Sequence, residues 1–330
     1  MINNKGLKLA VITGCSGFIG RHTTELFLER GYKVYGIDSL TYAADKDVAP
    51  YLTNKYPGSF YFTKQDICDI KDLPDCDVIV NIAAESHVSN SIIDPAMFLK
   101  SNIEGVQNIV NVILRKMMCR AHAPYLLQYS TDEVYGDIES GKFSEDSHLN
   151  PSNPYSASKA AADLLIKAAA RTHGLQYNII RPTNNYGEWQ HIEKLIPFSV
   201  QCLQRGLKIP LHNKGEPIRT WLSAKDTASA TLAVHESKRK NEIYNVTSGF
   251  EQKNVDTVRK IINSYFCGKS TKEYEGWLDH VDLGYTRPGQ DVRYSLCGDK
   301  ITQHTGWAPS HSFDDDIDGL VSHFVNDWKW

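Results

Sequence analysis

The sequence lacks any hydrophobic run long enough to cross a membrane, because no stretch approaches the ~20 apolar residues that a spanning helix needs. The N-terminal segment does not resemble a signal peptide, since residues 1–8 are polar and the apolar run after them soon meets Gly14. The net charge is only −3, which argues against neutralising nucleic-acid phosphates or an anionic membrane surface. We therefore expect a cytoplasmic protein that binds neither nucleic acid nor membrane.

Cysteine is present, but without a pattern. The seven cysteines are irregularly spaced, form no CxxC pair and do not cluster with histidine. An odd number at irregular spacing in a chain of 330 residues is not typical of a secreted disulfide framework or a zinc site. We expect free thiols, a reducing compartment and no metal. The 41% hydrophobic and 23% charged residues are close to the globular average, which excludes disorder, collagen and coiled coil.

Short apolar runs alternate with helical patterns over the first half of the chain. The runs predict β-strands at 9–13, 33–38, 60–63, 77–82, 125–130 and 177–181. Helical patterns are predicted over 18–30, from Asp94 onward and over 157–172. Such alternation implies parallel pairing with helices on both faces. The fold class is therefore predicted as α/β, a Rossmann-type doubly wound parallel sheet with a smaller mixed C-terminal substrate domain.

The composition and pattern of the sequence change after Pro182. Proline and glycine become more frequent there, and the strand patterns become less regular. We predict a Rossmann domain over 1–182 and a mainly substrate-binding domain over 183–330. Residues 220–246 are predicted to return to the Rossmann layer, because a helical pattern there is followed by a strand-like run at 243–246.

A glycine-rich turn follows the first predicted strand. Gly14, Gly17 and Gly20 are spaced GxxGxxG, so the backbone can approach a pyrophosphate and the next helix can supply amide donors. An ordinary loop fits such a turn equally well, but Asp38 at the end of the second strand adds a carboxylate. That carboxylate can accept both ribose hydroxyls and repels a 2′-phosphate. The pattern predicts a dinucleotide site that binds NAD rather than NADP.

Tyr155 and Lys159 lie four residues apart at the start of a predicted helix, so they share one face. A nearby ammonium and the positive nicotinamide ring both favour a phenolate, which makes Tyr155 a usable base toward a sugar hydroxyl. The alternative for this spacing alone is a solvated helix face.

Two carboxylates, Asp132 and Glu133, follow Thr131 at the end of the fifth predicted strand. Ligands gather at the carboxyl ends of parallel strands, and two carboxyl groups at one site suit separate acid and base roles. Adjacent carboxylates on an ordinary loop are usually solvated, but the apolar strand before these favours a site that faces the cofactor.

The chain resembles the extended short-chain dehydrogenases/reductases and, within that superfamily, the dTDP-glucose 4,6-dehydratases. The matching segments are 14–20, 38–43, 83–88, 130–136, 155–159, 181–187, 193–197 and 287–294. The glycine turn and the Tyr155–Lys159 spacing identify only the superfamily. The triplet of Thr131, Asp132 and Glu133 is specific, because related epimerases carry small residues there and related UDP-glucuronate decarboxylases have Ser in place of Asp132.

The resemblance implies a full set of site residues. Those implied for catalysis are Thr131, Asp132, Glu133, Tyr155 and Lys159. Those implied for NAD binding are Gly14, Gly17, Phe18, Ile19, Gly20, Asp38, Ser39, Leu40, Thr41, Asp66, Ile67, Ala83, Ala84, Ser101, Tyr155 and Lys159. Those implied for nucleotide-sugar binding are Ser86, Thr131, Asn184, Lys194, Leu195, Pro210, His212, Arg219, Asn254, Arg287 and Gln290. Arg219 and Arg287 suit a diphosphate, since guanidinium pairs with phosphate bidentately.

Four residues depart from the family pattern. Ser39 replaces a usual Lys, His212 a common Tyr, Gln290 a common His and Thr220 a usual Asp. The last three lie at the nucleotide-sugar end of the site, so the choice between dTDP-glucose and UDP-glucose stays open there.

The implied reaction is oxidation at C4 of a nucleotide-linked glucose, elimination of water across C5 and C6, and hydride return to C6. A UDP-hexose 4-epimerase or a UDP-glucuronate decarboxylase is the alternative on the same scaffold, and an inactive NAD-sensing protein is the alternative from another class. The helices over 94–118 and 157–172 form a homodimer bundle in relatives. Ala160, Ala161 and Ala168 would permit close helix approach there, although the same alanines could instead pack against the sheet.

Overall fold

The computed structural model describes residues 8–119, 123–286 and 291–327. Its strands in chain order are β1 (Leu9–Thr13), β2 (Lys33–Asp38), β3 (Phe60–Lys64), β4 (Val78–Asn81), β5 (Tyr125–Tyr129), β6 (Tyr177–Pro182), β7 (Asn184–Tyr186), β8 (Ile209–Pro210), β9 (Ile218–Ser223), β10 (Glu242–Val246), β11 (Glu251–Lys253) and β12 (Val281–Asp282). Its α-helices are α1 (Phe18–Glu29), α2 (Val48–Lys55), α3 (Val88–Ile93), α4 (Ala96–Leu99), α5 (Gly105–Met118), α6 (Pro154–His173), α7 (Leu195–Gln204), α8 (Ala224–Glu236), α9 (Asn254–Cys267), α10 (Asp299–Thr305) and α11 (Phe313–Asn326).

Seven strands form one parallel sheet in the order β3-β2-β1-β4-β5-β6-β10. The predicted Rossmann-type doubly wound sheet is confirmed. The chain reverses direction across the sheet between β1 and β4, and such a switch point opens a crevice at the carboxyl ends of the strands. All residues of β4, β5 and β6 are buried, because helices cover both faces; this explains their continuous apolar runs.

Two apolar layers flank the large sheet. One is built from α1, α2 and α8 and includes Phe27, Leu52 and Leu232. The other is built mainly from α5 and α6 and includes Ile109 and Ile166. Strand β10 pairs with β6, so a segment beyond residue 182 completes the large sheet.

The long helix predicted from Asp94 differs in detail. Pro95 precedes α4, and a π-helical turn at Lys100–Glu104 joins α4 to α5. Helix α6 begins at Pro154, earlier than predicted, because Asn153 caps it through the Ser156 amide and Pro154 suits the first helical position.

A smaller unit lies at the carboxyl edge of the sheet. It contains a three-stranded sheet, β11-β9-β7, and a two-stranded sheet, β12-β8. Helices α7, α9 and α11 enclose an apolar cluster with Trp221 and Phe313. In the described part of the chain, no helix combines the length and apolar character needed to cross a bilayer.

Candidate active site

The turn after β1 is shaped for close approach of other groups. Gly14 has φ +68°, and a Cβ there would lie 2.7 Å from the Ala83 nitrogen. A Cβ on Gly20 would lie 1.8 Å from the Gly14 oxygen, so α1 can begin directly behind the turn only with glycine here. Beside the turn, a cavity of about 330 Å³ is lined by Ser16, Gly17, Phe18 and residues of the 42–48 loop. The cradle fits a dinucleotide, since the first turn of α1 leaves amide donors without intrahelical partners.

Asp38 closes the other side of this cradle. Its two carboxylate oxygens accept hydrogen bonds from the Ser16 amide at 3.0 Å and the Leu40 amide at 2.8 Å. Burial raises the pKa of Asp38, and the two backbone hydrogen bonds oppose the rise. Each oxygen keeps a lone pair for a ribose hydroxyl. Leu40 itself has φ +55°, so the Ser39–Thr41 loop turns sharply at this point.

The remaining NAD residues implied by the resemblance lie after β3 and β4 and in the turn before α5. The Thr13 hydroxyl accepts from the Ala83 amide at 3.2 Å. Asp66 accepts from the Cys68 amide, and this holds Ile67 against Gly105, where a Cβ would meet Ile67 at 2.5 Å. Ser101 lies in the π-helical turn, and the adjacent Asn102 bonds to both backbone polar groups of Glu85. Ala84 is exposed at the mouth of the crevice.

Tyr155 and Lys159 share the inner face of α6, as predicted, and both are buried. The Lys159 ammonium donates to the Tyr129 carbonyl at 2.7 Å, a contact that the sequence did not predict. Burial lowers the pKa of Lys159 to about 8, and Asp163 opposes this. Burial and the charges of Glu133 and Asp132 raise the pKa of Tyr155, while a hydrogen bond with Thr131 lowers it. The protein groups around the phenol therefore favour its neutral form.

Asp132 is buried, although the adjacent-carboxylate pattern usually indicates solvation. It lies in the 3₁₀ turn Asp132–Tyr135 and is 3% exposed. One carboxylate oxygen accepts from the Thr131 hydroxyl at 3.0 Å, and the other has no hydrogen-bond partner among the described residues. Burial and the charge of Glu133 together raise the pKa of Asp132 from 3.8 to about 7, while the Thr131 hydrogen bond and the charge of Arg219 oppose the rise. This carboxyl group is thus poised to hold or release a proton near neutral pH.

Glu133 has a side-chain hydrogen bond from another element and a nearby positive charge. It accepts a hydrogen bond from the Asn153 side chain at 3.3 Å. Burial raises the pKa of Glu133, whereas the charge of Arg219 and the Asn153 hydrogen bond lower it. Arg219 is 8% exposed and donates to the Ile218 and Asp291 carbonyls. The sequence analysis missed Asn153, although an Asn directly before a Pro at the start of a helix is a recognisable cap.

The substrate residues implied by the resemblance divide into two groups. Lys194 crosses to the other side of the crevice and donates to the Ser86 carbonyl at 3.2 Å. Leu195 follows it as the first residue of α7. Asn184 lies in β7, and its side-chain oxygen is buried without a hydrogen-bond partner in the part of the chain that the structure describes.

The second group lies elsewhere in the smaller unit, in β8, in the turn after it and at the start of α9. Pro210 ends β8, Asn254 begins α9, and the His212 ring meets the Tyr285 ring edge-on with centroids 5.9 Å apart. Arg287 and Gln290 lie outside the described residues.

A cluster that the sequence analysis did not single out joins the two sides of the crevice. The Tyr42 hydroxyl donates to Glu193 at 3.1 Å and accepts from the Asn90 side chain at 3.4 Å. The Tyr42 ring also meets the His191 ring edge-on. These contacts tie the loop after β2 to the segment that carries Lys194. Within residues 8–119, 123–286 and 291–327, no group of three or more acidic, His or Cys side chains has the geometry of a metal site.

The chain matches known proteins along nearly its whole length. The sequence model of the family described as GDP-mannose 4,6 dehydratase matches residues 11–319. The low-salt glycan biosynthesis protein Agl12 of Haloferax volcanii is 38% identical, over 96% of this chain and 98% of its own. The dTDP-glucose 4,6-dehydratase of Haemophilus influenzae is 34% identical, over 96% of this chain and 97% of its own. The structure of DesIV, a dTDP-glucose 4,6-dehydratase of Streptomyces venezuelae with NAD and TYD bound, has a TM-score of 0.87 with 34% identity and covers 97% of both chains.

Proposed function

This chain belongs to the family described as GDP-mannose 4,6 dehydratase, and we propose that it converts a nucleotide-linked glucose into the 4-keto-6-deoxy sugar. The observation that carries the proposal is the pair of carboxyl groups of the buried Asp132 and the partly buried Glu133, whose charges act on the Tyr155 phenol. One site thus contains a base for a hydroxyl, a base for a C–H and an acid for a leaving hydroxyl.

NAD fits as the resident cofactor. The Gly14–Gly20 turn and the amides of the first turn of α1 would hold the pyrophosphate, and Asp38 would hold the adenosine ribose. When bound, NAD supplies an acceptor for hydride from C4, a donor of hydride to C6 and a positive ring near Tyr155.

Tyr155 takes the proton from the glucose 4-hydroxyl in the first step. Because the protein groups raise its pKa, the phenolate depends on nearby positive charge. Lys159 supplies part of that charge from the next turn of α6. Thr131 hydrogen-bonds the phenol and favours its ionised form.

The 4-ketone makes the C5 proton acidic, because the resulting carbanion is an enolate. Glu133 removes that proton as a base, held by Asn153. Asp132, with its pKa raised to about 7, donates a proton to the departing 6-hydroxyl, so that water leaves. A proton is then restored at C5.

Other activities on this scaffold explain the site less well. A 4-epimerase or a decarboxylase needs no acid for O6, and an inactive NAD-sensing protein has no use for five intact catalytic side chains. The nucleotide is proposed as dTDP first and UDP second, because the resemblance follows the dTDP-glucose enzymes while His212 replaces their common Tyr.

The proposal is tested by incubating the purified protein with dTDP-, UDP-, CDP- and GDP-glucose and with GDP-mannose. We expect 4-keto-6-deoxy product from a pyrimidine nucleotide, with the highest kcat/KM for dTDP-glucose. A preference for a purine nucleotide would contradict the assigned substrate. Formation of an epimer or a decarboxylated sugar instead would contradict the reaction.

The separate roles are tested by single-turnover absorbance of NADH. Glu133→Gln and Asp132→Asn should slow elimination by about 10²–10⁴-fold, yet leave hydride transfer to NAD⁺ measurable. Tyr155→Phe should block that first transfer. If all three variants behave alike, the assignment of roles is wrong.

A further inference from the structure

A buried ion pair lies directly behind the catalytic segment. Arg181 of β6 is 2% exposed, and Asp163 of α6 is fully buried. The guanidinium donates to one Asp163 carboxylate oxygen from two nitrogens, at 3.0 and 2.9 Å. Neither residue is implied in catalysis or in binding by the sequence resemblance.

Both ends of the segment that carries Asp132 and Glu133 are attached to this pair. At the start of the segment, the Ser130 hydroxyl donates to the same Asp163 oxygen at 2.9 Å. At its end, Arg181 donates to the Tyr135 hydroxyl at 2.7 Å.

The Tyr135 hydroxyl is fixed from a second strand as well. It donates to the Asn245 side chain at 2.9 Å, and Asn245 of β10 is the register partner of Arg181. The Tyr135 ring stacks on Phe143 with centroids 5.1 Å apart. The end of the catalytic segment is therefore held by two adjacent strands of the sheet.

The same pair is also attached to the helix that carries the tyrosine base. Tyr155, Lys159 and Asp163 follow one another at intervals of four residues along α6, so they share one face. Lys159 donates to the Tyr129 carbonyl, just before Ser130. Consequently, α6 and the segment from Tyr129 to Tyr135 are joined at successive points.

We propose that the Asp163–Arg181 pair is a positioning device that sets the distance between Tyr155 on α6 and the elimination residues Asp132 and Glu133. The inference rests on the proposed function and adds to it residues that touch neither substrate nor cofactor. Elimination needs the acid and the base on the same sugar that Tyr155 has oxidised, and a misplacement of about 1 Å can cost a factor of about 10² in rate.

Stability alone does not account for this arrangement. Buried ion pairs are often no more stabilising than apolar residues of similar size. Here the pair makes hydrogen bonds to both ends of the segment that carries Asp132 and Glu133. An apolar pair could not make these hydrogen bonds.

The decisive variants remove the bonds between the pair and the segment, and Tyr135→Phe also removes the bond from the Tyr135 hydroxyl to Asn245. Tyr135→Phe and Ser130→Ala each delete one hydroxyl and leave both charges in place. A matched control is Tyr244→Phe, since Tyr244 is another buried tyrosine, in β10, whose hydroxyl bonds to His304. We expect Tyr135→Phe to slow elimination about 10- to 100-fold, with NADH accumulating in a single turnover. The KM and the rate of the first hydride transfer should stay close to wild type, and the control should keep wild-type kinetics.

The proposal is overturned if Tyr135→Phe and Ser130→Ala keep wild-type elimination rates, or if they slow both steps equally, in proportion to lost stability. If the wild-type protein dehydrates no nucleotide sugar, the proposed function fails, and hydrogen exchange of residues 130–136 decides the positioning question separately. Faster exchange in both variants but not in Tyr244→Phe supports the positioning role. Unchanged exchange overturns it.

Discussion

At the scale of single residues, Asp132 shows how the site differs from a stable surface loop. A buried carboxylate with one unpartnered oxygen is costly, and that cost is the reason for its raised pKa. The same environment that disfavours the charge makes the group useful as an acid near neutral pH. Replacing this carboxyl group by an uncharged side chain should therefore increase the free energy of unfolding.

We predict that Asp132→Asn stabilises the protein at pH 8. The unfolded aspartate ionises near ~3.9, whereas the folded one ionises near pH 7. Between these values the folded state binds more protons than the unfolded state, so the stability of the wild type falls as the pH rises through that window. The amide removes this dependence, and we expect a gain of about 1–4 kcal/mol in the free energy of unfolding at pH 8.

Urea unfolding at pH 8 and pH 4.5 measures the effect, and the gain should shrink at the lower pH. The exposed Asp146 provides a control, Asp146→Asn, for which we expect no pH-dependent gain. A loss of stability for Asp132→Asn at both pH values would contradict the prediction.

Individual site residues could be predicted from sequence when their spacing along one element decided their position. Tyr155 and Lys159 share a face because α6 is a helix, and Asp38 reaches the turn because β2 ends there. The contact of Lys159 with the Tyr129 carbonyl could not be predicted in this way. It depends on how α6 packs across β5, which no local pattern specifies.

At the scale of elements, the buried strands were the most predictable part. β1 and β2 have the predicted bounds, because continuous apolar runs between turn residues allow few other interpretations. Helices α2, α7, α9 and α11 were not predicted, since their apolar positions are mixed with polar ones. Those of α2 become clear only against a layer of the large sheet, and those of α7, α9 and α11 only against the core of the smaller unit. The segment Asp132–Tyr135, which follows the strand predicted over 125–130, forms a 3₁₀ turn that the sequence did not predict.

The loop after β2 provides a further prediction at this scale. Tyr42 links the proposed NAD loop to the proposed substrate loop through Glu193, and these residues are 151 positions apart. Tyr42→Phe removes a hydrogen bond to a charged group at a half-exposed position, worth about 1 kcal/mol. We therefore expect NAD to dissociate about 3- to 10-fold faster, as measured by stopped-flow release of bound NADH.

Tyr61→Phe is the matched control, because Tyr61 is 46% exposed against 50% for Tyr42 and donates only to the Gly58 carbonyl at the surface. Equal NADH release rates for wild type and Tyr42→Phe would show that the contact does not retain the cofactor.

At the scale of the whole molecule, family membership agrees with the predicted resemblance, and the match over residues 11–319 includes both the sheet and the smaller unit. The proposed active site lies where these two parts meet, with catalytic groups from the segment after β5 and from α6, and with Arg219 from β9. The predicted boundary at residue 182 remains a prediction, and β10 shows that the large sheet draws on chain from beyond it.

The outer face of α6 is the surface on which the homodimer implied by the resemblance can be tested. Ala160 packs inward against Val134 and Leu296, whereas Ala161 and Ala168 lie on the side of the helix that carries the 55% exposed Leu164. Ala160 is therefore buried against the segment after β5 and not against a strand of the large sheet, whereas Ala161 and Ala168 are the alanines near the exposed face. Ile93 and Met97, on α3 and α4, are also exposed apolar side chains.

We predict that Leu164→Lys converts a dimer into a monomer. A lysine in the centre of a helix-to-helix contact would place two like charges close together in an apolar setting, and desolvating an unpaired ammonium is costly. Leu207→Lys is the matched control, because Leu207 is also 55% exposed but follows α7 in the smaller unit. Sedimentation velocity at micromolar concentration should show a dimer for wild type and Leu207→Lys and a monomer for Leu164→Lys. If Leu164→Lys remains a dimer, the dimer contact lies elsewhere, because residue 164 would then be exposed to solvent in the dimer as well as in the single chain.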